Sequence, residues 1–403
     1  GSVLFDQRQF RAGGPAGGAG VGERVAGGEV VVAPQAPPDD GHRPGLGEGE
    51  GEIGGAPLRR HVRLEVHAEP VGDPVDVGEV GHHLGRVVDP PIVEPRRPER
   101  ADVVLGIGDD AAILAPPPGR QVCVTTDVMV CGVHFLPAAD PVALGHKALA
   151  VNLSDLAAMG AEPAWFTLNL TLPEVNTTWL EPFCKGLFAL ACQYHIQLVG
   201  GNTSRGPLAI AIEAQGFVPE GRALLRSGAR VGDRVYVTGE LGDAGLALQH
   251  ELGKGRLPDA AFEAVAGKLH RPTPRIPEGL ALRDIAHSAI DISDGLLSDL
   301  GHVLEASHVG ARLLLDKIPV SSVYRSHIKE TGWDMALTNG DDYELCFTVP
   351  EKNIGALEKL QFPCGFHCIG QIEQELGLRI IDESGQPYHP RQTGHDHFAE
   401  KLF

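Results

Sequence analysis

The stretch GHKALAVNLSDLAAMGAEPAW, residues 145–165, places polar side chains inside an otherwise apolar helical pattern. We predict a helix over residues 140–159, because an Asp-Pro pair opens the pattern and a glycine follows it. Ser154 and Asp155 should lie near the core, since leucine and valine side chains surround them. A buried carboxylate is costly unless it is paired or bound to a metal ion. This stretch therefore predicts either a functional acidic site or a paired structural aspartate.

Strand-type apolar runs and further helical stretches alternate on both sides of this helix. Residues 103–114 and 122–133 are predicted to form strands broken by polar turns, and further strands are predicted at 166–172, 196–199, 209–218 and 234–238. The predicted helices cover residues 177–194, 244–252, 259–269, 279–285 and 295–306. This alternation predicts an α/β or α+β fold in two domains. We place the domains at residues 101–230 and 231–403, with a linker over residues 226–233.

Residues 1–100 differ in composition from the rest of the chain. They are rich in glycine, proline and arginine and contain no lysine. Such a segment can bury little apolar surface, so we expect it to lack stable structure. The absence of lysine beside many arginines also suggests that a GC-rich reading frame is joined upstream of the true start, or that the segment is another artefact.

Composition narrows the class of protein. The formal net charge of the 403 residues is −19, which disfavours nucleic-acid binding because that binding needs a basic surface. No apolar run reaches the length of a transmembrane helix and no secretory signal is visible, so we expect a cytoplasmic protein without a membrane partner. The seven cysteines match no zinc pattern, and we interpret them as reduced thiols.

Five further polar stretches accompany the Ser-Asp pair of the helix. Residues 106–111 have the outline of a dinucleotide-binding turn, but their two adjacent aspartates would repel a pyrophosphate. A Mg²⁺ site and an ordinary β-turn are the alternatives that stay open there. Residues 125–127, Thr-Thr-Asp, follow an apolar strand run and offer only oxygen ligands, either for a cation or as a capped strand end. His134, which comes soon after, is favoured as a structural histidine when taken alone.

The remaining three stretches lie in the second half of the first domain and in the second domain. Residues 199–206 contain a Gly-Gly pair that lets a backbone approach a phosphate closely, with arginine nearby to neutralise charge. Residues 289–297 end an apolar strand, and there Ser293 or Asp294 can cap the next helix. Capping does not explain Asp291. Residues 339–345 form another acidic turn before a buried strand.

Each stretch is a weak signal alone, but five of the six carry aspartate, and most follow predicted strands. Ion-binding and phosphate-binding groups gather at strand ends in α/β folds. The sequence contains neither a P-loop nor the signatures of protein kinases. The pattern therefore favours Mg²⁺ and ATP chemistry on a different fold.

Several long strings occur in one order along residues 101–403. They include LGIGDDAAIL, TTDVMVCGVHF, GHKALAVNLSDLAAMGAEPAW, VGGNTSRGP, HRPTPR, AIDISDGLLSDLGH and NGDDYELCFTVP. In this order they resemble the thiamine-monophosphate kinases, a family of the aminoimidazole-ribonucleotide-synthetase-like superfamily. The resemblance implies two α/β domains, a homodimer formed through the N-terminal domains, and Mg²⁺-assisted transfer of the ATP γ-phosphoryl group to thiamine monophosphate. Thiamine diphosphate and ADP would be the products.

The resemblance also implies roles for individual residues. The catalytic residues would be Asp127, Asp155 and Asp291. The metal-binding set would be Asp110, Thr125, Thr126, Asp127, Asp155, Asn202, Asp291 and Asp294. ATP contacts would include Gly201, Asn202, Arg226 and Ser293, and substrate contacts would include His134 and Asp341. Asn202 stands where the family has aspartate, so an amide replaces one of the expected carboxylates.

Two alternatives stay open at this point. The chain could be another ATP-using enzyme of the same superfamily, or a protein that binds a nucleotide or a metal without catalysis. ATP turnover that depends on thiamine monophosphate separates the kinase from both.

Overall fold

The first half of the described chain is built on a four-stranded sheet. The computed structural model describes residues 99–391, so the prediction for residues 1–100 lies almost wholly outside the described residues. A short hairpin of β1 (Val103–Leu105) and β2 (Ile113–Leu114) precedes the sheet. The sheet contains β3 (Arg120–Val130), β4 (Glu162–Leu172), β5 (Gln197–Arg205) and β6 (Ala209–Pro219), in the order β3-β6-β4-β5. Two helices, α1 (Pro141–Ala158) and α2 (Thr177–Gln193), share a hydrophobic core with one face of it.

Local sequence explains both the start of α1 and its close packing on α2. The Asp140 side chain accepts hydrogen bonds from the first backbone N–H groups, and proline occupies the first helical position. A Cβ atom on Gly145 would lie 2.0 Å from the Phe183 carbonyl oxygen, and one on Gly186 would lie 1.8 Å from that of Val142. The two glycines therefore let the helix backbones touch, which buries α1 along nearly its whole length.

The second half of the described chain forms a six-stranded sheet. Its strands are β7 (Arg234–Thr238), β8 (Ser288–Asp291), β9 (Gly310–Leu314), β10 (Leu345–Val349), β11 (Phe366–Glu373) and β12 (Gly377–Ile381), in the order β12-β9-β11-β7-β10-β8. The pairs are antiparallel except β9 with β12. The helices are α3 (Asp243–Glu251), α4 (Asp259–His270), α5 (Ile276–Leu282), α6 (Leu296–Ser307), α7 (Ser322–Thr331), α8 (Asp334–Thr338) and α9 (Ile354–Leu357). The α/β prediction is confirmed.

The structure confirms the broken strand predicted over residues 103–114, which consists of two short strands with a loop between them. It corrects two other strand predictions. Residues 125–127 lie in the middle of β3 and not after a strand, because β3 pairs with β6 along its entire length. The predicted strand 196–199 extends to Arg205, since its later residues pair in parallel with β4. Gly201 and Asn202 are therefore strand residues and not loop residues.

Helix α1 connects the two sheets. It packs on the four-stranded sheet on one side and against α5 on the other, where a Cβ on Gly279 would lie 2.0 Å from the Ala157 carbonyl oxygen. His146 Nε2 lies 2.9 Å from the Pro272 carbonyl oxygen, and the Tyr194 hydroxyl donates to the Pro274 carbonyl oxygen at 2.9 Å. The two sheets thus share one core around α1. In residues 99–391, no helix is both long and apolar enough to cross a membrane.

Candidate active site

Helix α1 brings together aspartates that lie far apart in the sequence. On β3, the Thr125 hydroxyl donates a hydrogen bond to Asp155 Oδ2. On the adjacent residue of α1, the Ser154 hydroxyl donates to Asp291 Oδ2 over 2.8 Å, at the last residue of β8. The Ser-Asp pair of one helix therefore contacts both sheets at once, and each of the two aspartates accepts a hydrogen bond from a hydroxyl group.

Asp127 belongs to the same cluster. It lies two residues after Thr125 on β3, so both side chains point to the face that α1 covers. Burial and the nearby carboxylate of Asp155 raise the pKa of Asp127 to about 6, with a further contribution from Asp294. Three carboxyl groups, from β3, α1 and the segment after β8, therefore lie close enough for Asp155 and Asp294 to repel Asp127.

Burial and mutual repulsion also affect the other two central carboxyl groups. Burial raises the pKa of Asp155, while the Thr125 hydroxyl and the Arg226 guanidinium oppose the rise. Burial, followed by repulsion from Asp155 and Asp299, holds the pKa of Asp291 well above its usual range. A bound cation would relieve this repulsion and allow the carboxylates to ionise together.

Asp299 is a buried member of this region that sequence reasoning missed. It lies in the first turn of α6, where its Oδ2 accepts hydrogen bonds from the backbone N–H groups of Ser293 and Asp294, each at 3.0 Å. Burial and Asp294 raise the pKa of Asp299 to about 7. The prediction that Ser293 or Asp294 caps α6 is wrong, because Gly295 is the capping residue and Asp299 holds the preceding turn from inside the helix.

The acidic turn before β10 is held against the same region. Lys147 Nζ of α1 lies 3.2 Å from Asp341 Oδ1, and the Tyr343 hydroxyl donates to that oxygen at 3.0 Å. The backbone N–H of Asp341 donates to the Ser293 carbonyl oxygen, and that of Tyr343 donates to the Ile292 carbonyl oxygen. The turn is thus fastened both to α1 and to the segment that follows Asp291.

A buried ion-pair network fixes the start of β10, and it too was missed. Glu344 accepts hydrogen bonds from Arg275 at 2.6 and 2.5 Å, from the Thr238 hydroxyl at 2.7 Å and from Lys268 at 3.1 Å. Despite its burial, the pKa of Glu344 is lowered, chiefly by the Arg275 hydrogen bonds and charge. The signal was present in the sequence as the final arginine of HRPTPR and the glutamate of NGDDYEL, but its pairing required the fold.

The donor set of the site consists of oxygen atoms. Across residues 99–391, no group of three or more histidine, cysteine, aspartate or glutamate side chains is arranged to hold a metal ion unaided. Mg²⁺ needs no such cage, since it usually takes one or two carboxylates and completes its shell with water and substrate phosphates. The carboxylates around Asp155 therefore fit Mg²⁺ as part of a complex with phosphates.

Comparison with known proteins identifies the family. The profile described as AIR synthase related protein, N-terminal domain, matches residues 108–218, and the matching C-terminal domain profile covers residues 230–383. The thiamine-monophosphate kinase of Escherichia coli strain K12 is 52% identical over 310 residues, which are 75% of this chain and 94% of that protein. The chain belongs to the thiamine-monophosphate kinase family.

Solved structures of the family have the same fold. A thiamine-monophosphate kinase from Stenotrophomonas maltophilia K279a is 45% identical with a TM-score of 0.67, covering 72% of this chain and 93% of that one. The structure described as AaThiL complexed with AMPPCP and TMP is 32% identical with a TM-score of 0.62, covering 72% of this chain and 92% of that one. The two-domain fold implied by the family resemblance is therefore confirmed.

The structure brings some of the residues assigned from the family resemblance to the central cluster. Thr125, Asp127, Asp155 and Asp291 form it through the contacts given above. Asp294 and Ser293 border it at the start of α6, and the Arg226 guanidinium acts electrostatically on Asp155. Asp341 lies on the adjoining turn through its contact with Lys147.

Other family-assigned residues lie apart from this cluster. The Thr126 side chain is exposed on the opposite face of β3, where its hydroxyl donates to the Ile212 carbonyl oxygen at 3.1 Å. Gly201 and Asn202 are exposed on β5, which is the edge strand opposite β3 with β6 and β4 between them. Among the described residues, no hydrogen bond joins Asn202 to the cluster.

Two family-assigned residues lie in turns. Asp110 is exposed between β1 and β2, and its backbone N–H donates to the neighbouring Asp109 carboxylate at 2.8 Å. His134 follows β3, and its Nδ1 accepts a hydrogen bond from the Val130 backbone N–H at 2.9 Å. That bond fixes the orientation of the imidazole.

Proposed function

We propose that this protein transfers the γ-phosphoryl group of ATP to thiamine monophosphate, which yields thiamine diphosphate and ADP. The observation that carries the proposal is the pair of contacts Thr125–Asp155 and Ser154–Asp291, which joins acidic residues of two domains in one site. A solved structure of a relative supports the assignment of ATP and thiamine monophosphate as substrates, since that relative was complexed with AMPPCP, a methylene analogue of ATP, and with TMP. The 52% identity to the Escherichia coli enzyme favours this reaction over those of other superfamily members.

The chemistry of the reaction explains why an acidic site is useful. A phosphate oxygen of thiamine monophosphate attacks the γ-phosphorus, and the bond from that phosphorus to the β-phosphate oxygen breaks. The attacking oxygen is already ionised at neutral pH, so the site needs no general base. The barrier lies in positioning two anions and in neutralising their charge. Arg226, which acts electrostatically on Asp155, would provide one fixed positive charge.

Mg²⁺ would supply the remaining neutralisation. We propose Asp127, Asp155 and Asp291 as the catalytic metal-binding core, with Thr125 and Asp294 beside it. Asp110, Thr126 and Asn202 are the outer members of the proposed metal set, and they would join it through phosphate, water or the backbone. When bound, Mg²⁺ screens the phosphates from each other and from the carboxylates. The raised pKa values of the central aspartates support a site that awaits positive charge.

The ligand contacts follow the same division. We propose that ATP is bound by Gly201, Asn202, Arg226 and Ser293. We propose that thiamine monophosphate contacts His134 and Asp341, whose carboxylate can complement the positively charged thiazolium. Thiamine monophosphate in contact with both His134 and Asp341 would span the two domains. The acidic cluster would then lie between its phosphate and the phosphates of ATP.

We also propose a homodimer formed through the N-terminal domains of a cytoplasmic enzyme. The outer face of β3 exposes Val122, Val124 and Val128 to 41%, 61% and 53% of their surface. A row of exposed valines on one strand face is typical of a surface that is covered by another chain.

Formation of ADP and thiamine diphosphate from purified protein tests the function. With Mg²⁺ and ATP present, we expect ADP release only when thiamine monophosphate is added, and no release with unphosphorylated thiamine. ATP binding without turnover would favour the non-catalytic alternative, and turnover with a different acceptor would favour another enzyme of the superfamily. Omission of Mg²⁺, with EDTA present, should abolish the reaction.

A further inference from the structure

Lys147 is a buried cation at the edge of the site to which neither the sequence motifs nor the proposed function gives a role. It is 6% exposed and lies on α1, seven and eight residues before Ser154 and Asp155. Two helical turns separate these positions, so all three side chains lie on one face of α1, with roughly 11 Å between the two ends. The helix thus presents a positive charge at one end of the site and a carboxylate at the other.

The partner of Lys147 is Asp341, across the domain boundary. Nζ lies 3.2 Å from Asp341 Oδ1, and the Tyr343 hydroxyl donates to the same oxygen at 3.0 Å. A buried ammonium group is costly unless it is paired, so this contact is needed to keep Lys147 in place. Both side-chain contacts that the described residues make to Asp341 use Oδ1. Among the described residues, neither of these contacts uses Asp341 Oδ2.

The turn that carries Asp341 is held in an unfavourable backbone conformation. Asp341 has φ 70° and Tyr343 has φ 49°, and neither residue is glycine. Residues with side chains rarely adopt this left-handed region, and they persist there only when surrounding contacts enforce it. Gly340 approaches the Ser293 carbonyl oxygen so closely that a Cβ would lie 2.2 Å from it. The conformation of the turn is therefore maintained by its backbone hydrogen bonds to Ile292 and Ser293 together with the side-chain contacts of Asp341.

We infer that Lys147 is a positioning residue for the substrate-binding carboxylate of Asp341. Together with the Tyr343 hydroxyl, its ammonium group holds Oδ1 and keeps the strained turn in the geometry in which Oδ2 meets the substrate. Ser154 makes the parallel contact to Asp291 two turns further along α1. One helix thus sets the positions of both acidic segments of the second domain. This inference rests on the proposed function for its substrate, but its structural part does not.

Steady-state kinetics of Lys147→Met, Lys147→Arg, Asp341→Asn and the double variant Lys147→Met/Asp341→Asn test the role. We expect Lys147→Met to raise the KM for thiamine monophosphate about tenfold, with kcat and the KM for ATP changed less than about threefold. The arginine variant, which keeps the charge, should recover most of the loss. The double variant should match Asp341→Asn alone, because the lysine acts through the aspartate. Lys185→Met, an exposed lysine on α2, is the matched control and should leave all constants unchanged.

Hydrogen exchange in the ligand-free protein gives a second readout that does not depend on activity. The backbone N–H groups of Asp341 and Tyr343 donate to the carbonyl oxygens of Ser293 and Ile292, and we expect Lys147→Met to speed exchange in this turn while exchange in α1 stays slow. Unchanged exchange in the turn, or effects of Lys147→Met and Asp341→Asn that simply multiply, would overturn the inference. If the wild-type protein does not phosphorylate thiamine monophosphate, the proposed function fails, and the exchange experiment alone decides the role of Lys147.

Discussion

At the scale of single residues, the site depends on side chains whose neighbours come from distant segments. Asp155 is held by Thr125 and Asp291 by Ser154, over separations of 30 and 137 residues. Each carboxylate accepts a hydrogen bond from a hydroxyl group, but that hydrogen bond does not neutralise its negative charge. Such groups are expensive to bury, which makes their presence in two domains more informative than an exposed aspartate would be.

Replacing either central aspartate tests this arrangement. We expect Asp155→Asn and Asp291→Asn each to lower kcat by about 10²-fold or more, since each removes a negative charge that would bind Mg²⁺. The side-chain oxygen of asparagine can still accept the hydrogen bond from the serine or threonine hydroxyl. Circular dichroism and the melting temperature should therefore show a folded protein. Asp259→Asn, at an exposed position in the first turn of α4, is the control. Near-normal turnover in both site variants would contradict the assignment.

Asp342 gives a prediction for the pH dependence of stability. Burial, with a further contribution from Glu344, raises the pKa of Asp342 well above its usual range, although the Gly242 N–H donates to it at 3.0 and 3.1 Å. Because the folded pKa is the higher one, the folded protein retains this proton longer than the unfolded chain does. The stability that the neutral form contributes is complete below about pH 4 and is lost as the pH rises toward the folded value.

Asp342→Asn should therefore flatten the pH dependence. Asparagine is neutral at every pH and can still accept the Gly242 hydrogen bond. We expect the melting temperature of the variant, relative to wild type, to rise steadily between about pH 4 and pH 8. Differential scanning calorimetry in metal-free buffer measures it. If the melting temperature of the variant minus that of wild type stays constant, or falls as the pH rises, Asp342 is ionised in the folded protein.

Single residues also mark the limit of what the sequence can predict. Asp127, Asp155 and Asp291 could be proposed because aspartate in an apolar helix or strand is unusual. Asp299 occupies the first turn of a helix, where aspartate is common, so only its burial and its bonds to the preceding turn distinguish it. Glu344 and Arg275 lie 69 residues apart, and no local pattern pairs them.

At the scale of elements, predictions were accurate where local signals decide the structure. The helix predicted over residues 140–159 is α1, Pro141–Ala158, because its Asp-Pro start and terminal glycine are local. The strand at 234–238 was also predicted with its observed limits. In contrast, β5 continues to Arg205 only because β4 pairs with it in parallel, with Asn169 opposite Asn202. Pairing between distant strands left no signal in the glycine-rich sequence.

The contact between α1 and α2 provides a prediction at this scale. A Cβ on Gly145 would lie 2.0 Å from the Phe183 carbonyl oxygen, so Gly145→Ala must push the two helices apart. We expect a loss of stability of about 1–3 kcal/mol, measured by urea denaturation. Gly267 is the matched control, since it lies inside α4 with no atom within 4 Å of an added Cβ. There alanine should stabilise the protein by about 0.5–1 kcal/mol. Similar effects at both positions would mean that helix propensity, and not close packing, governs Gly145.

At the scale of the whole molecule, helix α1 links the two sheets. Because α1 contacts β3, α5 and both acidic segments of the second domain, a small shift of this helix would change both ends of the site. The hairpin β1–β2 covers part of the opposite face of the four-stranded sheet, where Trp165, Val199 and Phe217 form a small core. The outer face of β3 lies beyond that cover, and its valines are exposed.

That exposed face leads to a prediction about assembly. If the N-terminal domains pair through it, Val124→Glu/Val128→Glu should place four carboxylates in the dimer interface and convert the protein to a monomer. Burial of a valine side chain stabilises an interface by about 1.5–3 kcal/mol. The free energy lost by replacing two valines in each subunit with charged residues should therefore exceed the dissociation free energy of most dimers at micromolar concentration. Light scattering with size-exclusion chromatography measures the mass. Val175→Glu, at a valine that is 62% exposed in the segment before α2, is the control and should leave the mass unchanged. A wild-type mass equal to one chain would show that the valine face is not a dimer interface, and dissociation by the control would show that added charge alone causes the effect.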